Sequence, residues 1–145
     1  MISEEELLAV QKRLRSRFDD FRHAFDRRDG AAFRLALVDF HDHLRLWTAA
    51  EERVLLPALA RTSFPGRDPQ RELRLEYVQI RELTRYLLSQ VAEHAPLADV
   101  LGLVENLERR LSAHESEMEK VYYPRAAPLL TSEEWLLLTE SAPPP

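Results

Sequence analysis

The chain has 145 residues, 45% hydrophobic and 31% charged, with a formal net charge of −5 and no cysteine. This is enough for one small domain with a single core, and the composition excludes a disordered chain. No apolar run reaches the roughly 20 residues that span a bilayer, the missing thiols rule out disulfides and thiolate metal sites, and the negative balance argues against a nucleic-acid surface.

Taken in chain order, the pattern is helical throughout, with three glycines and no alternating β-branched run. Met1 to Glu6 is acidic and lacks the basic-then-apolar layout of a secretory signal, so a cytoplasmic location is expected. Ser3 reads as an N-cap followed by three glutamates. The first helix carries the stripe Leu7, Leu14, Phe18, Phe21 and Phe25 and stops at Asp29-Gly30, read as a C-terminal turn. The second runs from about 31 to 62, with Phe33, Leu37, Phe40, Leu44, Trp47, Val54 and Ala58 on one face; Pro57 is expected to kink it or shift its last turn. Residues 63–69 connect the halves. The third helix covers about 69–93, with Leu73, Ile80, Leu87 and Val91 inward. Pro96 opens the fourth, whose stripe is Val100, Leu103, Leu107, Leu111, Met118 and Val121. Thr131 caps a short fifth helix to about 140, and residues 142–145 form a Pro-rich tail expected to fray. The fold class is therefore all-α. Residues 1–141 form an up-down-up-down four-helix bundle, built from hairpins over about 1–62 and 69–127 plus the short C-terminal helix.

An eleven-residue phrase occurs twice, from Trp47 to Pro57 (WTAAEERVLLP) and from His114 to Pro124 (HESEMEKVYYP). The second glutamate, the basic residue, the valine and the proline recur in register, which points to a duplicated hairpin. The phrase resembles the H-x-x-x-E segment of hemerythrin-like, HHE cation-binding domains, in which a histidine and a carboxylate one turn later face iron. The ending Leu130-Thr131-Ser132-Glu133-Glu134-Trp135 is similar to one common in that family, so the resemblance covers nearly the whole chain.

One polar residue interrupts each apolar stripe: Gln11, Glu51, Tyr77 and His114. In antiparallel hairpins Gln11 is expected level with the turn from Trp47 to Glu51, and Tyr77 with the turn from His114 to Met118. The resemblance implies histidines at Gln11 and Trp47, a carboxylate at Glu51, histidine at Tyr77 and often again at Arg81, and a histidine and carboxylate at His114 and Met118. Only Glu51 and His114 match. Tyr77 offers a phenolate for ferric iron, and Glu119 lies beside Met118 but points about 100° away. Hard cations need several anionic or imidazole ligands converging on one point, so no metal and no cofactor are expected. If any metal binds, Glu51, His114, Tyr77 and Glu119 are its ligands, with iron the alternative cofactor.

The same layer reads otherwise as a metal-free network. A buried Glu51 needs partners, and His114, Tyr77, Gln11 and Arg81 are the candidates, with Arg81 supplying the positive charge and Trp47 filling the vacated volume. His41 and His43 lie about 200° apart and cannot chelate one ion from one face. His43 could extend the network but reads first as structural, and His23 and His94 fall near helix ends. No hydrolytic triad and no glycine-rich phosphate loop stand out. Lysine occurs only at Lys12 and Lys120, a bias toward arginine that fits a GC-rich, bacterial genome.

Three function classes remain. The leading one is a non-catalytic binding or regulatory module, acting on an unknown protein partner or through self-association, without nucleic acid or membrane; its apolar fifth helix, with Trp135, is a contact element or a cap on the bundle end. The alternative is a metal-binding sensor or store of oxygen or metal with a reduced ligand set. A redox enzyme at the same layer has the least support.

Overall fold

The structure, a computed structural model, describes residues 3–145. Helix α1 (Glu4–Asp26) starts where the Ser3 hydroxyl accepts from the Glu6 amide and three glutamates occupy the positive end of the helix. Helix α2 (Gly30–Ala50) is capped by the Asp29 carboxylate, which accepts from the Ala32 amide. The turn between them corrects the sequence reading. Gly30 is not the terminator of α1 but the first residue of α2, and Arg28 takes the left-handed conformation at φ 59°. The Asp29 amide donates to Ala24 O and the Arg28 amide to Phe25 O, the paired bonds of a Schellman motif. With only Arg27 to Asp29 between the helices, the reversal has to fall before the Asp29 cap, at Arg28, two positions ahead of the glycine. A side chain at that φ costs about 1 kcal/mol, so Arg28→Gly is expected to raise unfolding stability by up to that amount in a denaturant titration.

Beyond α2 the helix widens into a π-turn, Glu51–Leu55, before one further α-turn, α3 (Leu56–Leu59). Pro57 explains it. Proline has no amide to give and its ring collides with the carbonyl four residues back. The wide turn takes up that carbonyl register, and the Leu56 amide reaches back five residues to Glu51 O. The expected kink is thus a π-bulge, a feature frequent at functional positions.

The second half repeats the first. Helix α4 (Pro69–Ala92) is capped by Asp68 with proline at its first position. It ends in the same motif, with His94 at φ 60°, its amide on Val91 O and the Ala95 amide on Gln90 O. Helix α5 (Leu97–Glu117) widens into a second π-turn, Met118–Tyr122, ahead of Pro124, where the Tyr123 amide reaches Met118 O. A short α6 (Tyr123–Ala126) and a 3₁₀ turn follow, and α7 (Ser132–Glu140) begins with a capping box between Thr131 and Glu134. Arg28 and His94, Glu51 and Met118, and Pro57 and Pro124 therefore occupy equivalent places. The duplication read from one phrase extends through both hairpins.

Helix α1 packs on α2, α4 on α5, and α2 on α4. Gln70 on α4 donates to Leu56 O, and Arg81 reaches Thr48 and Glu52, so α4 runs antiparallel to α2. Phe18, Phe21, Phe25, Phe33 and Phe40 make edge and tilted contacts around the first hairpin turn, with Phe18 and Phe21 centroids 4.5 Å apart. Burial of each such ring contributes roughly 1.5–3 kcal/mol. The 63–68 connection is held by Arg67, which donates to Glu72, Glu117 and the Tyr122 hydroxyl. The tail does not fray as expected: Pro143 is buried, and Arg17 donates to Pro144 O at 2.8 Å. Among the described residues no helix is long and apolar enough to cross a membrane.

Candidate functional site

Halfway along the bundle, at the level where both π-turns begin, lies a cavity of about 20 Å³. Its wall includes Gln11, Trp47, Thr48, Glu51, His114, Glu115 and Tyr123. That volume holds about one water molecule. Glu51 is the first residue of its π-turn and is buried; the Tyr123 hydroxyl donates to its Oε2 at 3.1 Å. Burial raises the Glu51 carboxyl to about 7, against the pull of His114 and the Tyr123 hydrogen bond, with Glu76 adding to the rise. His114 Nδ1 forms a short hydrogen bond with Glu76 Oε1. Burial disfavours the His114 cation, yet that bond and the charges of Glu51 and Glu76 carry its pKa above the usual histidine value. The layer thus holds an imidazole between two carboxyls, one fully buried and one partly open to solvent.

The two tyrosines differ. Burial pushes both phenols well above their ordinary pKa, with the Glu51 charge adding to each. Tyr123 spends its hydroxyl on Glu51, and the Trp47 indole offsets part of its shift by offering an N–H. Tyr77 lies edge-on to the His114 ring at 5.4 Å between centroids, and its buried hydroxyl has no protein partner. It therefore does not bond Glu51, as the sequence had suggested. Gln11 does not either: its amide donates to Glu115 O at 3.3 Å, while its Oε1 is buried without a partner.

Arg81 needs the clearest correction. Read in the sequence as the cation for Glu51, it turns to the flank, donating to Glu52 at 3.0 Å and to Thr48 Oγ1 at 3.3 Å. A guanidinium keeps part of its hydration there, where full burial would cost several kcal/mol. His114, beside Glu51 and Glu76, takes that place in the layer instead. The duplication shows why. Arg15 is the counterpart of Arg81, 66 residues earlier, and donates to Glu115 and Ser112 on α5 at 3.0 and 3.3 Å. Two arginines therefore latch the hairpins together, α1 to α5 and α4 to α2, on either side of the layer.

Met118 is fully buried at the start of the second π-turn, the place Glu51 holds in the first. Glu119 is exposed, and His43 is half-buried 3.4 Å from Asp39. Sequence reasoning missed Tyr123, Glu76, Glu115 and Thr48. Tyr123 was visible inside the repeated phrase, opposite Leu56; Thr48 and Glu115 hold equivalent places in it, each beside one of the two spaced arginines. Glu76 carried no signal beyond adjacency to Tyr77.

Iron does not fit these residues. Of the family-pattern positions that converge here, only Glu51 and His114 carry strong ligand groups, and both already have partners, while the nearby Glu76 and Glu115 are engaged with His114 and Arg15. Trp47 and Met118 are apolar, and the remaining space is that of one water. Among the described residues, no group of three or more His, Cys, Asp or Glu side chains could hold a metal ion.

The family model for the hemerythrin HHE cation binding domain matches residues 3–126. The chain belongs to that family. No curated protein and no solved structure matches it.

Proposed function

We propose that this chain is an up-down-up-down hemerythrin-like bundle whose metal layer has been rebuilt as a hydrogen-bonded layer, and that it acts as a non-catalytic binding or regulatory module in the cytoplasm. The observation that carries this reading is the filling of the layer. Trp47 and Met118 stand where the family pattern asks for ligands, and His114 with Glu76 provides the charge balance that a cation supplies elsewhere. Nothing in that layer assembles a nucleophile, a base and an orienting group around space for a substrate. Surface contacts then carry the function.

The test is metal content. Protein purified from cells supplemented with iron, manganese and zinc is expected to hold each metal far below one equivalent and to show no visible absorption. One equivalent of iron would overturn the proposal in favour of a sensor or store with a reduced ligand set.

A further inference from the structure

Among the described residues, two buried side-chain polar atoms have no protein partner, Gln11 Oε1 and the Tyr77 hydroxyl, and of these two residues only Gln11 lines the cavity in the polar layer. Its amide has one workable orientation. The NH₂ group donates to Glu115 O at 3.3 Å, and turning the amide over would set two acceptors against each other. Oε1 is therefore the atom left to be satisfied. A buried acceptor that meets no donor forfeits its hydration with nothing in return, which is why such atoms are rare in folded chains. The neighbouring donors are already spent. The Thr48 hydroxyl donates to Leu44 O, the Tyr123 hydroxyl to Glu51, and the Trp47 indole offers its N–H to Tyr123. Nothing in the apolar part of the wall, which is Leu14, Leu44, Ile80 and Leu111, can donate.

The cavity has the size and the lining of a site for a single water. At about 20 Å³ it exceeds the roughly 10–15 Å³ that one water needs and leaves no room for a second. Its wall also supplies further partners. Glu51 gives its Oε2 to Tyr123 and His114 its Nδ1 to Glu76, so each brings a second polar atom, Oε1 and Nε2, to the layer. A water has two hydrogen bonds to donate and two to accept. It serves Gln11 Oε1 and the Glu51 carboxyl as a donor, and meets His114 Nε2 in whichever role the imidazole tautomer requires. Three such partners lie within the two to four that hold internal waters in place. They come from α1, the first π-turn and α5, so one molecule joins the two hairpins at the centre of the bundle. Leu14, Leu44, Ile80 and Leu111 are all buried and close the remaining wall, which makes exchange with solvent slow.

We infer that the polar layer binds one long-lived internal water, held by Gln11 Oε1, Glu51 and His114 Nε2, as a constitutive ligand that ties the two hairpins together. This rests on the reading of the layer as metal-free and names what occupies it. Its test follows water rather than metal, so the two fail separately: a dry cavity in metal-free protein ends this inference and leaves that reading standing.

A chain of this length holds several internal waters, at roughly one per 27 residues, so the site is read by difference. Water ¹⁷O relaxation dispersion follows the oxygen itself and is blind to the labile hydroxyl protons of Thr48 and Tyr123. Gln11→Leu removes the acceptor, and Leu111→Phe fills the cavity from its apolar wall. Each, as the full chain with unchanged circular dichroism, is expected to show one long-lived water fewer than wild type. Cross-relaxation between water and the buried methyl groups of Leu14, Leu44 and Ile80 fixes the place: it is expected in wild type and lost in both variants. Equal ¹⁷O amplitudes in wild type and Gln11→Leu would overturn the inference, as would a wild type whose cavity methyls show no water contact. So would a water that Leu111→Phe expels and Gln11→Leu retains, because Gln11 would then not be one of its partners.

Discussion

Between about pH 4.5 and 7 the wild-type protein is expected to lose on the order of 3 kcal/mol of stability through Glu51 alone, and the Glu51→Gln variant is expected not to. The sign follows from burial. The Glu51 carboxyl ionises near 4.5 in the unfolded chain and at about 7 when folded, so across that window the folded state holds a proton that the unfolded state has released. Stability therefore falls as pH rises through the window and levels off above the folded pKa. Below it, Glu51 is neutral in both states and a glutamine of the same shape is nearly equivalent; at pH 8 the variant is expected to be the more stable by that 3 kcal/mol. Every group facing Glu51 enters the comparison: His114, Tyr123, Glu76, Gln11, Thr48 and Glu115. His114 and Glu115 also have raised pKa values, so each adds a slope of the same sign; that of Glu115 remains in the variant, and that of His114 is reduced there because the Glu51 charge no longer helps to raise it. Urea titrations at five pH values measure both curves. Parallel curves would show that Glu51 is not the buried acid the geometry describes.

Helix positions and the core were legible in the sequence because apolar spacing and caps act locally: Ser3, Thr131 and the prolines announced themselves. The termination of α1 was not, since the choice of Arg28 over Gly30 for the left-handed position depends on how closely Asp29 must follow to cap α2. The π-turns were half legible. Pro57 signalled a disturbance, and Pro124, its match in the repeated phrase, was not read as one; a kink and a bulge answer the same missing hydrogen bond, and packing decides between them. In the polar layer, the residues that interrupt an apolar stripe were visible, and their pairing was not. Arg81 illustrates the reason. Its angle on α4 differs from that of Tyr77 by only about 40°, yet a long charged side chain uses that difference to reach the half-hydrated Glu52.

Metal binding should return when four positions are changed together, Gln11→His, Trp47→His, Tyr77→His and Met118→Glu. With Glu51 and His114 these give the six ligands that the family pattern asks for. The structure supports the placement: Gln11 and Trp47 share the cavity wall with Glu51 and His114, Tyr77 abuts the His114 ring, and Met118 opens its π-turn as Glu51 opens the other. A glutamate at 118 thus starts from the backbone geometry that already turns Glu51 inward. The change also works against the fold. Replacing Trp47 by histidine enlarges a space of about 20 Å³ and removes apolar contacts, at about 3–5 kcal/mol by the scale of large-to-small core changes. Metal at a thousand times its dissociation constant stabilises the folded state by about 4 kcal/mol, which roughly offsets that loss. The quadruple variant is therefore expected to melt well below wild type without metal, to recover most of the difference on adding ferrous iron anaerobically, and to retain iron through gel filtration. The wild type should show no such shift. A variant that folds by circular dichroism but neither shifts nor retains iron would mean that these six positions do not converge, and that the departure from the family's site lies in the backbone rather than in the side chains alone.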